Sequence, residues 1–220
     1  MTGELWRWDL ETFRALHALS GNGLVSTVAR TLSDSGLGHV QLLAVPILAA
    51  WRRWPRWVGA SLVLAWASAC WAYERDGSAL AACALCLALF ARSESRALWW
   101  GALCGVAAGA LRIAVEPLFD RVRPSNLPFA DPLEPVFGAS SFPSGHATTT
   151  GALVAGVLLA GRQGRGGWLL ATWGVAVAAS RVVIGVHFVS DVLGGLGFGV
   201  AVAALASAVL QGRAETAATS

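Results

Sequence analysis

The sequence predicts an all-α protein, a polytopic membrane bundle of six to seven transmembrane helices with an amphipathic N-terminal helix. Three observations predict it. Of 220 residues, 55% are hydrophobic and 13% charged, against roughly 25% charged in an ordinary soluble domain. The mean hydropathy is +0.59. The apolar residues fall in seven successive runs rather than in the alternating pattern of half-buried strands. So much apolar surface excludes a disordered chain and argues against a soluble domain.

Residues 1–35 read as an amphipathic, interfacial segment. Trp6, Leu10, Phe13, Leu16 and His17 recur at helical spacing, the pattern of a helix lying on a membrane or packed on a bundle. Glu4, Arg7, Asp9, Glu11 and Arg14 interrupt it, which is unlike the continuous apolar core of a signal peptide. Residues 36–211 read as the membrane domain, with apolar runs at 38–51, 57–73, 78–92, 97–115, 146–161, 167–186 and 190–211. A bilayer core of about 30 Å needs roughly 20 helical residues. The shorter runs must therefore draw on their flanks, or the third is re-entrant; hence six or seven spans. If every run crosses, Arg52, Arg53, Arg56, Arg92, Arg96, Arg162, Arg165 and Arg213 all fall on one side, which is the cytoplasmic one by the charge rule. Trp51, Trp54, Trp57, Trp99, Trp100 and Trp168 gather at the same ends, as an aromatic belt does. Gly101, Gly105 and Gly109 are spaced by four, as are Gly195 and Gly199, and that spacing lets helix backbones approach closely. Residues 212–220 read as a loose polar tail. Cys70, Cys83, Cys86 and Cys104 sit in apolar runs and read as small buried hydrophobes. The net charge of +3 comes from scattered Arg, with no Lys in the chain. That leaves no basic stripe for nucleic acid, while the oligomeric state stays open.

The stretch 116–145 holds six of the eight prolines, Pro117, Pro124, Pro128, Pro132, Pro135 and Pro143, so it is no continuous helix. Chemically capable residues gather around it in three places: Arg121 and Arg123-Pro124; Pro143-Ser144-Gly145-His146; and Ser180-Arg181, with His187 and Asp191 following. Chain reversal brings all three to one membrane face. Arg123 and Arg181 offer planar forks suited to phosphate oxygens. Ser144 and Gly145 precede a helix, whose first N–H groups make an anion site, and Ser144 is a candidate cap. His187 and Asp191 are four apart, so the carboxylate can hold one ring nitrogen and aim the other. His146 arrives from a different span. The set suits phosphoryl transfer: His187 as nucleophile, Asp191 as its partner, and His146 as general acid toward the leaving oxygen. Arg123, Arg181 and the Ser144/Gly145 amides would steady the equatorial oxygens. A metal at His146, His187 and Asp191 would sit beside two guanidinium cations, so no metal or other cofactor is expected.

Pro143-Ser144-Gly145-His146 and Ser180-Arg181-x5-His187-x3-Asp191 resemble the second and third signatures of the type 2 phosphatidic acid phosphatase superfamily, which also includes glucose-6-phosphatase and vanadium haloperoxidases. The resemblance covers about residues 97–205. It implies a membrane helical bundle, a phosphohistidine intermediate and no cofactor. It also implies a lipid phosphate or diphosphate substrate drawn from the bilayer, such as phosphatidic acid, phosphatidylglycerol phosphate or a polyprenyl diphosphate. The implied place is the bacterial cytoplasmic membrane, with the site on its outer face. The alternative is a phosphotransferase of the same superfamily, passing the phosphoryl or phospho-head group to a lipid or sugar acceptor. In the first signature Arg123-Pro124 fits, but Glu116 stands at the family's Lys position. Arg112, four residues earlier, is placed to pair with Glu116, and Arg112 or Arg121 is a candidate for the missing positive charge.

Overall fold

In the computed structural model, described for residues 3–74, 77–91, 93–135, 140–161 and 165–219, every expected apolar run is helical. The helices are α1 (Gly3–His17), α2 (Gly23–Ser35), α3 (Gly38–Arg53), α4 (Arg56–Glu74), α5 (Gly77–Phe90), α6 (Ser95–Val115), α7 (Gly145–Ala160), α8 (Arg165–Val183) and α9 (Val189–Thr219). There is no strand among the described residues. Ser95–Leu118, Gly166–Val183 and Val189–Leu210 are long and apolar enough to cross a membrane; Gly77–Phe90 and Gly145–Ala160 are apolar but shorter. At 14 and 16 residues, α5 and α7 reach only about 21 and 24 Å. Arg92, Arg162 and the side chains of Arg165 and Arg213, used above to orient the chain, lie outside the described residues.

The α7 helix forms the centre, packed between α6 and α9 and touching α8 and α3. Its apolar residues run all the way round, the mark of a helix buried on every side. Small residues let its neighbours come close. A Cβ on Gly199 would stand 2.2 Å from the Thr148 carbonyl oxygen, and one on Gly195 would stand 2.7 Å from that of Ser144. On the other side, a Cβ on Gly101 would stand 2.6 Å from the Leu153 carbonyl oxygen. The glycine spacings in the sequence therefore mark two real backbone seams. Below the seams lies the main apolar core, which includes Val40, Ala44, Trp66, Phe90, Leu98, Leu153 and Trp173.

Two parts differ from the expected boundaries. Residues 3–35 form chiefly two helices, α1 and α2, each of which packs one face on the bundle. α1 buries Asp9, Phe13 and His17, and α2 buries Ala29, Ser33, Asp34 and Ser35. The polar members of those faces explain it, because each finds a partner inside. His17 bonds the Val183 carbonyl through Nδ1 at 2.8 Å, and Ser35 Oγ accepts from the Trp173 indole at 2.9 Å. At the other end, α9 runs on to Thr219 instead of giving way to a loose tail at 212. Its last residues, rich in Ala with Gln, Arg and Glu, are good helix formers.

Arg52, closing α3, donates to Ser95 Oγ at 2.7 Å and to the Ala91 carbonyl at 2.8 Å. It thus ties the end of α3 to the ends of α5 and α6. The seams give a sharp expectation. Gly199→Ala should destabilise the detergent-solubilised protein by about 1–3 kcal/mol through overpacking. Gly197→Ala meets nothing within 4 Å and should leave Tm unchanged or slightly raised. Equal Tm values for the two variants would remove the seam from the account.

Candidate functional site

Three chain segments converge where α6, α8 and the start of α7 end together. Between α8 and α9 the chain turns through Gly185, whose φ of +90° is open to glycine at little cost. A side chain there would also strike the His17 ring, 2.7 Å from a Cβ. The turn folds back on its own helix, with the Val186 and His187 amides both donating to the Arg181 carbonyl at 3.2 and 3.3 Å. It delivers His187, 3% exposed, to the interior.

The two ring nitrogens of His187 face different partners. Nδ1 lies 3.6 Å from Asp191 Oδ2, and Nε2 lies 3.4 Å from Arg123 Nη1. A guanidinium only donates, so the arrangement suits the tautomer with its proton on Nδ1 and a lone pair on Nε2. Asp191 is wholly buried. Its Oδ2 accepts from Ser141 Oγ and from the Phe188 amide at 2.8 Å, and its Oδ1 pairs with Arg121 Nη1 at 2.7 Å. Burial drives the His187 pKa down to about 4, against the upward pull of the nearby Asp191 carboxylate. The imidazole is therefore neutral at physiological pH. Burial also pulls Arg123 below its usual range, and the nearby Arg112 guanidinium adds to that.

The second segment opens α7. Ser144 is fully buried, and its Oγ has no hydrogen-bond partner. It is not the side-chain cap that its position suggests. Its amide donates to the Asp191 carbonyl at 3.1 Å, so of the two amides expected to face an anion this one is already engaged. Gly145 lies directly against Arg112, whose guanidinium carbon would stand 3.6 Å from a Cβ there. His146 rests on Gly36 at the end of α2 and has an unpartnered, buried Nε2. Arg181, His187 and Arg112 are all close enough to act on it electrostatically. Thr148, one turn further into α7, also buries a hydroxyl without a partner. Buried polar atoms left unsatisfied are uncommon and call for a reason; three of them, on Ser144, His146 and Thr148, fall within the first turns of α7.

The candidates from the sequence are therefore brought together, though Arg181 and Arg121 are engaged in ways the sequence did not reveal. Arg181 Nη1 pairs with Glu134 Oε2 at 2.8 Å and also donates to Ser33 Oγ. Arg112 Nη2 pairs with Glu116 Oε1 at 2.9 Å, as the spacing of four predicts, and its Nε donates to the Pro143 carbonyl at 3.2 Å. Arg121 departs from the expectation. It does not face the unpartnered atoms but lies between two carboxylates, bonded to Asp9 as well as Asp191. Two buried anions draw it there, because a desolvated carboxylate needs a cation or donors. Both of its terminal nitrogens are thus committed to carboxylates. Sequence reasoning missed Asp9, Ser33, Glu134 and Ser141. Only Asp9 carried a signal, since it lies on the apolar face of α1 with Phe13 and His17 at spacings of four.

Comparison with known proteins accords with this geometry. The sequence model of the PAP2 superfamily matches residues 97–215. The undecaprenyl-diphosphatase BcrC of Bacillus subtilis is 31% identical over 113 residues, which cover 51% of this chain and 58% of that protein. A lipid A 1-phosphatase of Rhizobium johnstonii is 37% identical over 123 residues, covering 50% and 48% respectively. The chain thus spans about half the length of the curated relatives it matches. A PAP2-type phosphatidylglycerolphosphate phosphatase from Bacillus subtilis, solved by crystallography, superposes over 93% of this chain and 94% of its own, with 18% identity and a TM-score of 0.40. The chain belongs to the PAP2 superfamily.

Proposed function

For this member of the PAP2 superfamily, we propose an integral membrane lipid phosphatase that hydrolyses a lipid phosphate or diphosphate through a phosphohistidine intermediate, without metal. One observation carries the proposal. His187 turns Nδ1 toward a buried carboxylate and leaves Nε2 beside the Arg123 guanidinium. That is the arrangement a nitrogen nucleophile aimed at a bound phosphate needs.

Nε2 attacks phosphorus, a P–N bond forms, and the P–O bond to the leaving group breaks. His146, kept protonated by the bound anion, gives its proton to the departing oxygen, which leaves as the lipid alcohol from a monophosphate or as the lipid monophosphate from a diphosphate. Asp191 holds the Nδ1 proton and balances the charge growing on the ring. Water, deprotonated by His146, then attacks the phosphohistidine and releases inorganic phosphate, returning both imidazoles to their starting forms. Arg123, Arg181, the Gly145 amide and Ser144 Oγ steady the equatorial oxygens. Arg112, against Gly145, is the cation that stands in for the family's Lys, with Glu116 holding it in place. Polyprenyl diphosphate, phosphatidylglycerol phosphate and phosphatidic acid are the substrate classes, entering laterally so that the hydrocarbon stays in lipid. The site opens on the outer face of the bacterial cytoplasmic membrane, opposite the arginine-rich ends.

Phosphate release from a panel of lipid mono- and diphosphates in detergent tests the reading. Wild type should release phosphate with or without EDTA, and His187→Ala should lose at least about a thousandfold in kcat. Release from none of the panel, or an active His187→Ala, would overturn it; transfer to an added alcohol without release would mark a phosphotransferase instead. The pH dependence follows from His187. Attack needs the neutral ring, which persists above its pKa and is lost below it. The acid limb of kcat/KM should therefore fall near pH 4, and a limb near the ordinary imidazole value of about 6.5 would contradict the buried nucleophile. Glu116→Gln removes the carboxylate that holds Arg112 in place and should raise KM about threefold or more; unchanged kcat and KM would make position 116 peripheral.

A further inference from the structure

We propose that Asp9, on a helix outside the family-matching segment, is a positioning residue: acting through Arg121, it holds Asp191 so that His187 keeps its proton on Nδ1 and its lone pair on Nε2. The inference rests on the reading of His187 as nucleophile.

Asp9 is wholly buried. Its two oxygens take everything within reach on the catalytic side. Oδ1 accepts from the Ser190 amide at 3.0 Å, and Oδ2 accepts from Ser190 Oγ and pairs with Arg121 Nη2. The Ser190 amide is one of the unpaired donors in the first turn of α9, so a carboxylate from α1 caps a helix through a residue 181 positions later in the chain and meets its positive end. The other arm of Arg121 reaches Asp191 Oδ1 at 2.7 Å and Ser190 Oγ at 2.6 Å. One guanidinium is thus shared between two carboxylates. Sharing matters for Asp191. A guanidinium with a single anionic partner would neutralise it and draw it away from the ring. With half its charge spent on Asp9, Arg121 fixes Oδ1 in place and leaves Oδ2 anionic toward His187.

The rest of the same α1 face grips the same segment. Trp6 and Phe13 stand edge-on to the Phe188 ring at centroid distances of 5.2 and 5.5 Å. His17 bonds the Val183 carbonyl through Nδ1, and its Nε2 accepts from the Asp131 amide at 3.3 Å. α1 therefore holds the 183–191 segment at both ends, by apolar contact and by one charged contact, and only the charged one reaches the carboxylate that faces the imidazole.

Asp9→Asn, Asp9→Glu and Leu16→Ala separate these roles, since Leu16 contributes only packing to α1. The readouts are kcat and KM on the best lipid of the panel, Tm, and the His187 tautomer at neutral pH. The tautomer comes from ¹⁵N NMR of histidine-labelled protein, with the resonance assigned by its loss in His187→Ala. Asp9→Asn should lose about tenfold in kcat, the scale of one charged hydrogen bond, with KM changed by no more than about twofold, and should show both tautomers. Asp9→Glu should recover most of the loss. Leu16→Ala should lower Tm without changing kcat or tautomer. The inference is overturned if Asp9→Asn keeps wild-type kcat and a single Nδ1–H tautomer, or if Leu16→Ala loses kcat in step with Tm as Asp9→Asn does. Wild type inactive on every lipid would sink the phosphatase reading alone, and the tautomer comparison would still decide the role of Asp9.

Discussion

A carboxylate sealed from water organises this end of the molecule. Asp191 has no exposed surface, and an unpaired charge in that position would be intolerable to the fold. Satisfying it recruits a hydroxyl from the proline-rich stretch, an amide from its own turn and a guanidinium from the segment after α6. Each recruit fixes the backbone that bears it. The Ser141 amide is itself bonded to the Arg121 carbonyl at 2.9 Å, so two of the recruits also brace each other. The described parts of the 116–144 stretch have little regular structure of their own, yet they are held at defined places, because the buried anion has to be answered there. The guanidinium cations follow the same rule. Arg181 and Arg112 meet carboxylates at Glu134 and Glu116, so the unliganded site is close to electrically balanced.

Much of this was legible in the amino-acid order. The seven apolar runs became helices because hydropathy over a helical length is a strong, local signal. The glycines at 101, 195 and 199 became close contacts because nothing larger fits between backbones at that distance. His146, His187, Asp191, Arg123 and Arg181 could be named as candidates because their residue types and spacings resemble the signatures of the superfamily. Arg112 and Glu116 paired because four residues along a helix is one turn.

What escaped was set by tertiary placement. Ser33 and Glu134 have unremarkable neighbours in the chain, and only the docking of α2 and of the loop brings them to Arg181. Arg121 looked like a spare phosphate ligand because its sequence distance from Arg123 is short. Its direction was decided instead by Asp9, 112 residues away in the chain. The amide of Ser144 looked available because helix starts leave donors unpaired, but the carbonyl of Asp191 occupies it. The N-terminal helix showed its amphipathic pattern plainly. Whether that face met lipid or protein depended on partners that the pattern does not encode.

The seam between α7 and α9 has a further meaning for how the bundle breathes. With backbone against backbone and no side chains between to reshuffle, the two helices travel as one body. One bears Ser144 and His146, the other Asp191. Their mutual spacing is therefore fixed by the backbones themselves, and the second glycine seam, between α7 and α6, extends the same rigid block to a third helix.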